Sequence, residues 1–261
     1  MRESRRIHGL YTLTLSDVLL EKSFDDTVAL GYTPYDTHGR GSSALVVMGL
    51  VHNGAHPLTA RIPYRCFLPE GLEGVLVGGK SLSATRDASS LCRMNADVEN
   101  AGYALGLAAA MAVRGRCLPA QIDVKALRER LIRAGCLTEA EPARSITAAM
   151  AAREMEAGDE DALAHCIVQD ASEMLSLLRA MDTPEFAGDR DALDLALCRF
   201  GDERGVDGVL RLMRETGDLD DWSKLRSSTG YGLKHTSFSD ETAPYHRLNR
   251  LITLLGMSGD R

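Results

Sequence analysis

The fold is decided by one stretch of the chain, residues 61–113, RIPYRCFLPEGLEGVLVGGKSLSATRDASSLCRMNADVENAGYALGLAAAMAV. Gly74 to Val77 is short and apolar and predicts a buried strand, which the pair Gly78-Gly79 ends. A polar loop follows from Ser81 to Asn100, and the Ala-rich residues 98–114 predict a long helix. We therefore expect a strand, a tight glycine turn and a helix at the centre of the fold.

The predicted helix carries Gly102 and Gly106 four residues apart, on one face. A glycine inside a helix costs about 1 kcal/mol relative to alanine, so two of them call for a physical reason. One reason is the close approach of a ligand, because a helix start offers free N–H groups and partial positive charge to an anion. The other is simple packing of the helix on a sheet, and the pattern alone favours neither.

The flanking residues predict an α+β domain with mixed or antiparallel strands. Residues 7–15 alternate in the manner of a strand, and Ser16-Asp17 could cap a short helix that ends near Val28. Two apolar runs, 44–50 and 60–68, predict further strands, with Pro63 at an edge or a strand start. Because the chain opens directly in an apparent strand, we expect it to begin partway through a fold.

After Pro142 the composition changes to helices separated by acidic turns. The predicted helices span residues 145–157, 159–167, 171–181, 189–200, 204–216 and 245–256. Residues 247–261 weakly repeat the first half of 189–210, which is typical of stacked helical hairpins such as HEAT-like repeats. We therefore predict two domains, 1–138 and 139–261, the second a helical tail that stops within its second repeat.

Composition excludes several classes of function. The net charge of −7 and the pI near 5.5 argue against nucleic-acid binding, which needs clustered excess Lys and Arg. No apolar run approaches the roughly 18 residues of a membrane-spanning helix, so we expect a soluble, cytoplasmic protein. The six cysteines lie far apart without a C-x-x-C pair, which predicts reduced thiols and no metal site.

The turn-rich segment 31–40 carries Asp36 and His38 two positions apart. On an extended backbone this spacing puts both side chains on one face, where a carboxylate could orient an imidazole for acid–base chemistry. A satisfied polar pair in a loop is the alternative, and the pattern alone favours it.

Five ordered motifs carry a specific resemblance to a known family. They are R-E-S-R-R-I-x-G-x-Y-x-L-T-x-x-D-V-L at 2–19, P-Y-D-T-H at 34–38, I-P-Y-R-C-F-L-P at 62–69, V-G-G-K-S-L-S-A-T at 77–85 and R-M-N-A-D-V-E-N-A-G-Y-A-L-G-L-A-A-A-M-A at 93–112. Together they cover about residues 1–135 and resemble the C-terminal portion of bacterial FAD-dependent oxidoreductases. The helical region resembles the repeat-like tail of some members.

The resemblance implies FAD as cofactor, a small-molecule substrate, and roles for residues that match the motifs. It implies contacts from Gly78, Gly79 and Lys80 to the pyrophosphate or ribityl chain, and from Arg93, Asp97 and Val98 near the flavin. Gly102, with Gly106, would let the helix pack closely. It also favours catalysis by His38, as a base or substrate ligand held by Asp36.

The chain departs from the family pattern in three respects. Members more often have Arg at the position of Lys80 and His at that of Arg86, and they open with a G-x-G-x-x-G turn for the ADP half of FAD. The glycines at 71, 74, 78 and 79 have the wrong spacing for that turn. We therefore expect a fragment that supplies half of a flavin site, which a separate N-terminal dinucleotide-binding polypeptide would complete. The alternative is a non-catalytic interaction module with a degenerate flavin-binding scaffold and a partner-binding tail.

Overall fold

The structure is a computed structural model that describes residues 5–32, 43–51, 58–138, 145–217 and 243–259. For residues 243–246 it describes the backbone alone. The described residues divide into two compact units. Unit 1 holds residues 5–32, 58–138 and 145, and unit 2 holds 43–51, 146–217 and 243–259. No helix in these ranges is both long and apolar enough to cross a membrane.

Unit 1 contains a small antiparallel sheet and four helices. Strand β1 (Thr27–Gly31) pairs with β2 (Ala60–Pro63), with Gly31 opposite Ala60 and a bulge between Thr27 and Ala29. The helices are α1 (Leu15–Leu19), α3 (Arg86–Ser89), α4 (Asn95–Gly115) and α5 (Val124–Arg133). Mixed helix and antiparallel strand confirms the predicted α+β class.

Several predicted strands of unit 1 are wrong. Residues 7–15 form only two single bridges, Gly9 to Pro69 and Leu13 to Ala84. Residues 74–77 are neither strand nor buried, although the Val77 N–H donates to the Phe67 carbonyl at 2.9 Å. The sequence also predicts a helix from Ser16-Asp17 to near Val28. In the structure, α1 is capped by Thr14 and ends at Leu19, and residues 27 and 28 belong to β1.

Helix α4 is the longest element of unit 1 and begins three residues before its predicted start. Its buried face consists of small side chains at helical spacing, namely Ala101, Ala104, Ala108 and Ala112. Small residues on this face let the helix lie close to β1 and α5, which it contacts. The alanines of this helix therefore serve packing against the sheet, as one of the two interpretations of the sequence holds.

Unit 2 is helical in its described parts. It contains α2 (Ala44–Val47), α6 (Ala148–Ala157), α7 (Ala162–Ile167), α8 (Ala171–Met181), α9 (Arg190–Arg199), α10 (Glu203–Thr216) and α11 (Ala243–Met257). All six helices predicted after Pro142 are confirmed to within about three residues. Four of them, α6, α8, α9 and α10, have side-chain caps at their starts, from Thr147, Asp170, Asp189 and Asp202.

The predicted strand at 44–50 is wrong, because these residues form α2 and belong to unit 2. Helix α11 satisfies the carbonyls at the end of α2: Asn249 Nδ2 donates to the Val47 carbonyl at 3.1 Å, and Arg250 Nε to that of Met48 at 2.9 Å. The apolar run could not reveal this, since four residues are too few to show a helical period.

Candidate functional site

The first turn of α4 is fixed by one buried carboxylate. Asp97 is 4% exposed and accepts hydrogen bonds from the backbone N–H groups of Met94, at 3.3 Å, and Tyr32, at 3.2 Å. Tyr32 directly follows β1, so Asp97 ties the end of that strand to the start of the helix. A carboxylate is stabilised there by the positive end of the helix dipole.

Gly31, the last residue of β1, lies directly against the carbonyl of Leu91, and a Cβ on Gly31 would collide with that oxygen. The chain just before α4 therefore passes over the end of β1 without a side chain between them. This contact and the Tyr32 bond were missed from the sequence. The glycine at the end of an apolar run was the available signal.

The Gly78-Gly79 turn lies beside the same helix. Gly79 has a φ of +65°, a left-handed conformation that glycine adopts without strain, and a Cβ on it would lie 3.8 Å from Val98 Cγ1. A Cβ on Gly78 would collide with Leu105 Cδ1. The glycine pair was predicted to end a strand, and in the structure it places a tight turn against α4.

Backbone hydrogen bonds hold this turn on both sides. Gly79–Ser81 forms a 3₁₀ turn whose Ser81 carbonyl accepts from the Ile7 N–H at 3.0 Å. Two residues later, the Ser83 N–H donates to the Cys66 carbonyl at 2.9 Å. Backbone hydrogen bonds thus fix the turn to two other segments of unit 1, which gives the rigidity that a binding site requires.

The structure brings together four of the seven predicted cofactor residues: Gly78, Gly79, Asp97 and Val98. Lys80 follows the turn and is exposed, Arg93 precedes α4 and is half-buried, and both make further polar interactions. Asp36 and His38, the predicted catalytic pair, lie outside the described residues.

Gly102 does not serve the close packing that was expected of it. Both Gly102 and Gly106 are exposed, and a Cβ on either would meet no described atom within 4 Å. Among the described residues, the prediction of close helix packing at this pair is therefore wrong. The glycines leave an open, smooth face on α4 that runs from Val98, next to Gly79, toward Val113, which is 78% exposed.

The cysteines near the site are not suited to nucleophilic chemistry. Burial raises the pKa of the Cys66 thiol to about 12, and it also raises the pKa of Cys92, which is 2% exposed. A thiol with a raised pKa is not deprotonated near neutral pH, so it is a poor nucleophile. Within the described ranges, no group of His, Cys, Asp and Glu side chains could hold a metal ion.

Comparison with known proteins decides the family. A family model described as FAD dependent oxidoreductase matches residues 1–131, which is half of the chain and includes the Gly78-Gly79 turn and α4. The chain belongs to the FAD-dependent oxidoreductase family. No curated protein and no solved structure matches it significantly.

FAD dependence is therefore a property of the family, and the geometry of unit 1 fits such a cofactor. The left-handed Gly79 lets the backbone approach a ligand without a side chain in between. The face of α4 at Gly102 and Gly106 is open, because a Cβ on either glycine would touch no described atom. Helix packing within the described residues does not explain these two glycines.

Proposed function

We propose that unit 1 forms the flavin-side wall of the FAD site of an oxidoreductase. The observation that carries the proposal is the position of the left-handed Gly79 beside Val98, in the first turn of α4. Met94, the N-cap of that helix, offers only a thioether, which is a weak hydrogen-bond acceptor. The N–H groups of this turn are therefore suited to a polar or anionic part of a cofactor.

Each proposed cofactor residue has a distinct role in this arrangement. Lys80 and Arg93 supply positive charge near the turn, and Lys80 does so as a point charge, without the bidentate geometry of arginine. Asp97 positions the helix start through its bonds to Met94 and Tyr32. Gly102 keeps the face of α4 open beside Val98.

FAD, when bound, carries the electrons of the oxidation, and the protein supplies binding, orientation and electrostatics. The family makes a small molecule the expected substrate. On the strength of the resemblance we propose His38 as the base or substrate ligand, with Asp36 as the carboxylate that orients it. Both roles remain proposals, because neither residue is among those described.

We also propose that a separate dinucleotide-binding segment holds the ADP half of FAD. The sequence Gly39-Arg40-Gly41-Ser42-Ser43-Ala44 matches only the looser form G-x-G-x-x-A of the fingerprint. Helix α2, which follows this sequence, has only four residues, and the Ser43 hydroxyl already accepts from its Val46 N–H at 3.4 Å. Helix α2 is thus poorly suited to a pyrophosphate.

The test is flavin absorbance near 450 nm in purified protein. We expect none from the chain alone, and a flavin band when the chain is co-expressed with a polypeptide encoded upstream that carries G-x-G-x-x-G. Lys80→Gln should weaken FAD retention severalfold, because a charge near the cofactor is lost. Lys125→Gln, an exposed lysine on α5, is the matched control and should change nothing. Equal retention by both variants would remove Lys80 from the site.

A non-catalytic interaction module is the second candidate, and one observation favours it. Unit 1 has a cavity of about 470 Å³ rimmed by Leu10, Leu72 and Val75, which are 53%, 64% and 41% exposed. Exposed apolar residues around a cavity are typical of a protein-binding surface. Failure to recover flavin under every co-expression condition would favour this candidate over the oxidoreductase.

We further propose that the helices after Pro142 form a HEAT-like repeat region. Helices α9 and α10 pack against each other across a three-residue connection, residues 200–202, as the hairpin of such a repeat does. The weak sequence repeat at 247–261 is the second support for this proposal.

A further inference from the structure

Unit 2 contains a cavity of about 600 Å³ that the flavin chemistry does not involve. It lies between the acidic turn that joins α6 to α7, the helices α9, α10 and α11, and the residues that follow α2. Its floor consists of leucine side chains that are at most 6% exposed: Leu163, Leu195, Leu212 and Leu251. Cavities of roughly 300–1,000 Å³ with an apolar lining and a few polar groups are typical of small-molecule sites.

One wall of the cavity carries a half-buried cation, Arg250 of α11. Its Nε donates to the Met48 carbonyl at 2.9 Å, and its guanidinium has no carboxylate partner among the described residues. Burial lowers its pKa. A buried charge is costly without a counter-charge, so this guanidinium is suited to an anionic group entering the cavity.

Three other arginines of unit 2, Arg190, Arg211 and Arg247, are paired with carboxylates. Arg190 Nη2 lies 2.6 Å from Asp182 Oδ1, and Arg211 Nη2 lies 2.9 Å from Asp191 Oδ1. Arg247, which also lines the cavity, is within 3.7 Å of Asp191 and 3.6 Å of Glu215. Within the described part of the chain, Arg250 thus differs from these neighbours in having one backbone hydrogen bond and no counter-charge.

The cavity lining also includes an acidic turn. Asp159, Glu160 and Asp161 lie on the turn between α6 and α7, and Glu160 is exposed and has no hydrogen bond or ion pair with any described residue. Glu160 and Arg250 line the same cavity without pairing with each other. Within the described residues, a single cavity is therefore lined by a cation without a counter-charge, a carboxylate without a partner, and leucines.

We propose that this cavity binds the zwitterion of an α-amino acid with an apolar side chain. The ligand carboxylate lies at Arg250, its ammonium faces Glu160 and the acidic turn, and its side chain packs on the leucine floor. The three carboxylates of the turn disfavour a dianion such as a phosphate ester, and Arg250 disfavours a simple amine. The inference is independent of the flavin site, since all lining residues belong to unit 2.

The test is calorimetric titration of the full chain at pH 7 with L-leucine, L-methionine and L-phenylalanine. Two probes with a related apolar tail but a single charge, 4-methylpentanoate and 3-methylbutylamine, serve as controls. We expect at least one amino acid to bind at least about tenfold more tightly than either control, because each control leaves one charged group of the cavity unpaired. Absence of binding by all three amino acids, or equal binding of 4-methylpentanoate, would overturn the proposal.

Two cavity variants and one control variant test where the ligand binds. Arg250→Met should weaken amino-acid binding by at least about tenfold, through loss of a charge-assisted hydrogen bond. Since Arg250 also bonds to Met48, Glu160→Gln is the second variant: it breaks no described contact and should weaken binding severalfold. Arg153→Met removes an exposed arginine of α6 outside the cavity and should leave binding unchanged. Unchanged binding in both cavity variants would contradict the assignment.

Discussion

Gly205 of α10 lies where α9 leaves no room for a side chain. A Cβ on Gly205 would collide with the backbone nitrogen of Cys198 and would lie 2.6 Å from the carbonyl carbon of Leu197. Gly208, one turn further on, faces a side chain instead, and a Cβ on it would collide with the carboxylate of Asp194. Backbone atoms cannot rotate away as a side chain can, so Gly205 sets the distance between the two helices.

We therefore expect Gly205→Ala to destabilise unit 2 by about 1–3 kcal/mol, the usual cost of overpacking. Gly102→Ala is the matched control, because it is also a glycine inside a helix but meets no described atom within 4 Å. It should raise the stability of unit 1 by up to about 1 kcal/mol, through helix propensity alone. Urea unfolding followed by circular dichroism measures both changes, and equal effects of the two substitutions would show that α10 is not closely packed.

At the scale of elements, Asp202 joins two helices. It caps α10 by accepting from the Arg204 N–H at 3.1 Å, and its Oδ2 accepts from Arg179 Nε of α8 at 2.6 Å. The hydrogen bond from the Arg204 side chain, at 3.0 Å, is the main cause that lowers the pKa of Asp202 to about 2. The ion pairs favour the charged form in the folded chain.

The pKa of Asp202 predicts a loss of stability in acid. Its folded pKa of about 2 lies below the ordinary value of 3.8, so its contribution is fully present above that value and is lost as the pH falls toward 2. Asp202→Asn should lower the melting temperature at pH 7 and reduce its decline between pH 4 and 2. Asp207→Asn, an exposed aspartate of α10, is the control. An unchanged pH profile for Asp202→Asn would contradict this assignment.

Helices and strands differed in how well the sequence predicted them. Helices α6, α8, α9 and α10 of unit 2 have side-chain caps and a period of 3.6, both of which are local signals. The sheet of unit 1 depends on pairing between residues 27–31 and 60–63, which no local pattern records. Apolar runs such as 44–50 and 74–77 are ambiguous for the same reason, and both were wrongly predicted as strands.

The candidate site was predictable only in part. Its residues at 78, 79, 97 and 98 were found through motifs, and the structure brings them together around the start of α4. The contacts of Asp97 with Tyr32 and of Gly31 with Leu91 were not predictable, because they link residues about 60 positions apart. The sequence also predicted close packing at Gly102. In the structure, the closely packed glycines within helices include Gly205 and Gly208.

At the scale of the whole molecule, the two units are not two consecutive halves of the chain. Residues 43–51 come from the first half and belong to unit 2, where Leu45, Val46, Met48 and Val51 are at most 8% exposed. The hydrogen bonds from Asn249 and Arg250 of α11 reinforce this packing. The domain boundary at 138/139 remains a proposal about sequence, and unit 2 needs residues from both sides of it.

This interleaving predicts the behaviour of a cleaved chain. A specific protease site inserted within residues 139–144 should give two pieces that co-elute in size-exclusion chromatography, because residues 43–51 of the first piece remain packed in unit 2. Val46, at 1% exposed, provides the control: Val46→Asp buries a charge without a partner, and the cleaved variant should separate into two peaks. Separation of the unmutated pieces would show that the segment 43–51 adds too little binding energy to hold unit 2 together.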